Sequence, residues 1–118
     1  MARPPDLARR SEILDGAVAY LAEHGLADVS LRPMARAIGL SPNGLVHHFG
    51  TKEQLLVEAL ERVNDVQSAV LARWLRREPD LTLTALLRKW WRWTLRSPAN
   101  LALVRLGIEA AALEATET

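Results

Sequence analysis

The chain has 118 residues, no cysteine and a formal net charge of +1, enough length for one domain of ordinary size, or a small domain plus part of another, with a real core. Without cysteine there is neither a disulfide framework nor a thiolate metal site, and a reducing cytoplasm is the expected compartment. The first ten residues lack the apolar stretch of a signal peptide and no apolar run approaches the roughly 18 to 20 residues of a membrane span, so a soluble chain with no membrane partner is expected.

The pattern is helical from end to end. Between about Leu7 and His24 the apolar residues Ile13, Leu14, Ala17, Val18 and Leu21 recur at spacings of three and four, which lays one stripe on one helix face, and Gly25 follows as a C-terminal cap. Ser30 is placed to N-cap a short second helix with Leu31, Met34, Ala35 and Ile38 facing inward; Pro33 falls in its first turn, where no intrahelical N–H is lost. Gly39 ends that helix. Ser41 then caps a third helix with Pro42 at its first position, and Gly50 keeps it short. Thr51 and Gln54 fit a capping box for a fourth helix. Leu56, Leu60, Val63, Val66, Val70 and Trp74 continue its stripe to about Arg77, before Pro79. At 1.5 Å per residue it would run roughly 36 to 39 Å, beyond the first bundle. A fifth helix opens at Thr82 or Thr84 and carries Leu86, Leu87, Trp90, Trp93 and Thr94. Ser97 and Pro98 cap and start the last, from Ala99 to about Leu113, stopping at "EATET". With no strand signal or internal repeat, the fold class is all-α.

Net charge makes no general case for a nucleic-acid partner, so any electrostatic footprint must lie in where the charges sit. From Val29 to Lys52 there is no Asp or Glu, although 25% of the chain is charged, and the same run carries Arg32, Arg36, His47, His48 and Lys52. The second and third helices, joined by Gly39, Leu40 and Ser41, make a helix-turn-helix. In that arrangement the first helix of the pair crosses the DNA backbone and the second lies in the major groove, its N-terminal side chains toward the base edges. Leu40 and Leu45 are the apolar anchors, which leaves Pro42, Asn43, Gly44, His47 and His48 outward. Small residues at the tip allow close approach, and the Asn43 amide matches adenine N6 and N7. A carboxylate on this surface would meet phosphates at short range, which gives the missing Asp and Glu a reason.

The segment "VSLRPMARAIGLSPNGLVHHFGTKEQLL" resembles the DNA-binding signature of the TetR family of bacterial transcriptional regulators, and the likeness covers nearly all of residues 8–60. It rests on Arg32, Ala35, Gly39, Ser41, Leu45, His48, Phe49, Lys52 and Glu53 matching together. The resemblance implies a three-helix DNA-binding bundle over residues 1–53, then a long connecting helix and a partial helical regulatory and dimerisation domain over 54–118. It also implies a repressor that binds double-stranded operator DNA as a homodimer and is released by a small-molecule effector, with no cofactor. By that resemblance Arg32 reaches a base or phosphate, Ser41, Pro42, Asn43, Gly44 and His47 lie at the groove, and His48 and Lys52 hold phosphates. Lys52 would stand at the amino end of the fourth helix, whose N–H groups already favour an anion. Val46 departs from the pattern, since the family usually has a tyrosine there; an apolar contact with a thymine methyl replaces its hydrogen bond. Length departs too, because only two helices follow the fourth. The chain reads as a truncated product or a fragment, and alone it is expected to be a monomer or a concentration-dependent dimer.

Other patterns have plainer readings. His47 and His48 occupy adjacent helix positions about 100° apart, and the remaining histidine, His24, lies at a helix end, so no metal site is expected. Trp90 and Trp93 sit at core spacing, while Trp91 lies off that stripe; Trp90 and Trp91 are the candidates for ligand contact. Arg88, Lys89, Arg92 and Arg96 read as a solvated face. The alternative function is a helical interaction module that uses exposed tryptophans and has lost operator binding, which weak binding to every duplex would favour. No nucleophile and base pair, metal constellation or phosphate loop points to an enzyme.

Overall fold

The computed structural model describes the backbone of residues 4–117 and the side chains of residues 7–115. Among the described residues six helices follow one another: α1 (Pro4–His24), α2 (Leu31–Ile38), α3 (Pro42–Phe49), α4 (Lys52–Arg77), α5 (Leu83–Arg96) and α6 (Pro98–Glu117). No strand occurs among the described residues, and none of their helices is long and apolar enough to cross a membrane. The chain forms two compact units, one ending at Arg62 and the other starting at Val63; α4 contributes its first eleven residues to the former and the rest to the latter.

In the first unit α2 packs on both α1 and α3. Ile13, Ala17 and Leu21 from α1, Met34 and Ala35 from α2, Leu45 from α3 and Ala59 from α4 are fully buried, with Leu14, Leu26, Phe49 and Leu55 nearly so. Val18, Leu31, Ile38 and Leu40 are half-buried edges of the same stripes. In α4 the buried face is Leu55 and Ala59, one position before the expected Leu56 and Leu60, which are half-buried. Both sets repeat every four residues. Only the packing partner decides which of two adjacent rows turns inward. Two ion pairs tie α4 to α1, one partly buried, Arg10 to Glu58 at 2.7 Å, and one exposed, Arg62 to Asp15.

The second unit buries Val63, Val70, Thr94 and Leu106, and within it α5 packs on α6. The Thr94 hydroxyl donates to the Trp90 carbonyl at 2.9 Å, so its burial leaves no orphan donor. Trp90 stacks on Trp93 with ring centroids 5.1 Å apart and meets Trp74 edge-on at 6.5 Å. Leu87, expected inward, is instead 58% exposed, in line with exposed Leu83, Trp91 and Leu95; the inward stripe of α5 runs through Leu86, Trp90, Trp93 and Thr94. The last helix passes the expected stop near Leu113 and reaches Glu117, because Glu-Ala-Thr-Glu contains no breaker and alanine favours the helix.

The caps follow local chemistry. Thr51 N–H donates to the Gln54 side-chain oxygen at 2.9 Å and Gln54 N–H to Thr51 Oγ1 at 3.1 Å, a reciprocal capping box. Thr82 Oγ1 accepts from Ala85 N–H and Ser97 Oγ from Asn100 N–H. Ser30 takes the N-cap position with extended backbone but makes no side-chain cap bond. Pro33, the third residue of α2, has no N–H to offer, which removes one of the two donors a cap side chain can reach.

Candidate nucleic-acid interface

The turn between α2 and α3 is built from backbone hydrogen bonds. Gly39 N–H points to the Ala35 and Arg36 carbonyls at 2.9 and 3.2 Å, and Leu40 N–H reaches Ala35 at 2.8 Å. This double closure requires a left-handed residue, and Gly39 supplies φ +90°. Leu40 is thereby set half-buried against the bundle, and the chain re-emerges at Ser41, whose Oγ accepts from Gly44 N–H at 3.0 Å. Pro42 occupies the first helical position, where its missing N–H costs nothing.

α3 is eight residues long and buries only Leu45 and Phe49. Its other side chains form the candidate surface. Ser41, Asn43, Val46 and His47 are exposed, Pro42, Gly44 and His48 half-buried, and the rings of His47 and His48 meet edge-on at 5.5 Å. From α2, Arg32 and Arg36 are exposed, and Lys52 is the half-buried first residue of α4. The expected site residues thus lie on the α2–α3 pair and the amino end of α4 within one unit. His24 is an exposed helix-end residue, stacked on Tyr20.

Charge use separates two classes of cation in this unit. Arg10 and Arg62 are committed to Glu58 and Asp15, whereas Arg32, Arg36 and Lys52 make no ion pair among the described residues. These three cations lie on or beside a stretch that carries no carboxylate, so no side chain of that stretch neutralises them.

Arg10 was not among the residues singled out from the sequence. Its Nε donates to the His48 carbonyl at 3.2 Å, its terminal nitrogen reaches Glu58 at 2.7 Å, and its guanidinium lies 4.4 Å from the centroid of the Phe49 ring. These partners stand 38 and 48 residues away along the chain, so no local pattern signals them. Beside them Phe49, Glu53, Gln54 and Val57 complete a shallow hollow.

In the second unit Trp90 is half-buried within the tryptophan cluster and Trp91 is 62% exposed. A separate hollow is lined by Glu78, Leu81, Ala85, Arg88, Lys89 and Arg92, and neither tryptophan lines it. Lys89 is held by Glu78 at 3.2 Å over the Trp74 ring, while Arg88, Arg92 and Arg96 are solvent-exposed.

Residues 13–59 match the family model described as "Bacterial regulatory proteins, tetR family". The chain is 36% identical over 66 residues to HTH-type transcriptional repressor Rv1474c of Mycobacterium tuberculosis, a match covering 56% of this chain and 35% of the relative. It is 42% identical over 60 residues to HTH-type transcriptional repressor AcnR of Corynebacterium efficiens, covering 51% and 31%. Over 52 residues it is 42% identical to HTH-type transcriptional repressor KstR2 of Rhodococcus jostii, covering 44% and 26%. The matched stretch therefore spans about a third or less of these relatives' length. No solved structure gives a significant match.

Proposed function

Because residues 13–59 belong to the tetR family of bacterial regulatory proteins, we propose that this chain is a DNA-binding transcriptional repressor, with α3 entering the major groove of a double-stranded operator. The observation that carries the reading is the α2–α3 surface, free of carboxylates from Val29 to Lys52, with Arg32, Arg36 and Lys52 unspent on ion pairs among the described residues. The names of these three relatives, each an HTH-type transcriptional repressor, support repression over activation.

In this reading Asn43 offers its amide to a base edge and Val46 its methyls to a thymine. Ser41, Pro42 and Gly44 keep the tip small, His47 lies at the groove, Arg32 reaches a base or a phosphate, and His48 and Lys52 hold phosphates. Two copies bind the two half-sites of an operator, about one helical turn apart. A small effector bound by the second unit, around Trp90 and Trp91, releases the DNA, and the regulator works in the cytoplasm.

Two substitutions separate affinity from specificity. Lys52→Ala is expected to weaken all duplexes nearly equally and to lower the salt slope by roughly one unit per subunit. Asn43→Ala is expected to cost about 1 to 3 kcal/mol per half-site on the best duplex and little on random DNA. Fluorescence anisotropy at several salt concentrations measures both. An unchanged slope for the first, or equal losses on both duplexes for the second, would remove that residue from its assigned role.

A further inference from the structure

We propose that Arg10 is a positioning residue for DNA recognition, which fixes the carboxyl end of α3 without touching DNA; the inference rests on the reading of α3 as the recognition helix. At two turns α3 is too short to hold its own shape, and the carbonyls of its last turn lack intrahelical donors. Gly50 N–H serves the Val46 carbonyl at 2.6 Å, and the Arg10 Nε–H serves that of His48 at 3.2 Å. Positive charge there also suits the negative end of the helix. The same guanidinium lies over the ring of Phe49, one of two buried side chains of α3. Through Glu58 it is anchored to α4 as well. One side chain from α1 thus joins the end of α3 to α4 and holds the peptide that links His48 to Phe49, one residue after His47. Its charge is matched by Glu58, so Arg10 contributes orientation where Arg32 and Lys52 contribute attraction.

The planar fork is what allows donation in two directions at once, and lysine cannot reproduce it. Arg10→Lys and Arg10→Gln should therefore both weaken binding to a duplex selected by the wild-type chain from a random library, by roughly ten- to a hundredfold. Binding to random duplex and the salt slope should stay as in the wild type. Glu58→Gln should act in the same direction, because Arg10 loses its anchor. Were Arg10 a phosphate contact, Arg10→Lys would bind nearly normally, Arg10→Gln would lower the salt slope by about one unit, and Glu58→Gln would tighten binding to every duplex. Any of these results overturns the proposal. So does an unchanged ratio of selected to random affinity measured well below the unfolding temperature, which would make Arg10 a stabilising residue only.

Amide hydrogen exchange on the DNA-free protein decides the structural half independently. Residues 46–50 should exchange faster in Arg10→Gln than in the wild type, while α5 and α6 are unchanged. Equal rates at residues 46–50 would overturn the inference whatever the DNA results. A wild-type chain that selects no duplex would defeat the DNA-binding reading, and with it the role of Arg10 in recognition, even where exchange shows that Arg10 holds α3.

Discussion

Leu45→Ala is expected to destabilise the first unit by about 2 to 5 kcal/mol, the cost of emptying a fully buried leucine site. Leu45 is 0% exposed and, with Phe49, is all that α3 buries. A helix of two turns has little stability of its own, so the loss falls on the contact that keeps α3 in place. A small domain has only about 5 to 15 kcal/mol in total, so this one change removes a large share. Urea unfolding followed by helical circular dichroism should show a lower midpoint for the transition of this unit with an unchanged slope. An unmoved midpoint would show that Leu45 does not anchor α3.

Gly50→Ala should cost about 2 to 4 kcal/mol, for two separable reasons. Gly50 joins α3 to α4 with φ 89° and ψ −97°, a conformation in which a side chain is strained whatever room it has. A Cβ there would also collide with the Gln54 side-chain oxygen, which accepts from Thr51 N–H in the capping box. Adding Gln54→Ala removes the collision but not the backbone strain. The double variant is therefore expected to recover only part of the loss, with a coupling energy of about 0.5 to 1.5 kcal/mol. Full recovery would place the whole cost in the collision, and a stability change within about 0.5 kcal/mol for Gly50→Ala alone would contradict the turn geometry.

The elements whose cause is local were legible in the sequence. The Thr51–Gln54 box, the Ser41 and Ser97 caps and the left-handed Gly39 are each decided within a few residues. The helix-turn-helix could therefore be placed residue by residue. Where two local rules meet in one place, only the position follows: Ser30 is the N-cap of α2 but makes no side-chain cap bond, and Pro33 withholds one of the two N–H groups it could bind. Choices made by packing were hidden. Leu55 and Leu56 are equally apolar, and nothing in α4 itself says which faces α1 to α3; Leu87 likewise reads as core and stands exposed. Arg10 is the extreme case. In the sequence it is one of two adjacent arginines in an amphipathic helix, and its meaning arises only when residues 38 and 48 positions away are brought beside it. Sequence could mark the α2–α3 surface by the carboxylates it lacks, but not the side chain that holds that surface in register.

The most direct test of the account is to map which surface of the protein meets DNA. The isotopically labelled 118-residue chain would be titrated by NMR with a duplex it has selected from a random library. Amide shifts are expected to change over residues 30–52, most strongly at Ser41 to His48, with residues 83–113 unmoved at stoichiometric DNA. Changes confined to α5 and α6, or a uniform weak response to selected and random duplexes alike, would contradict the assignment of α2–α3 as the DNA-reading surface.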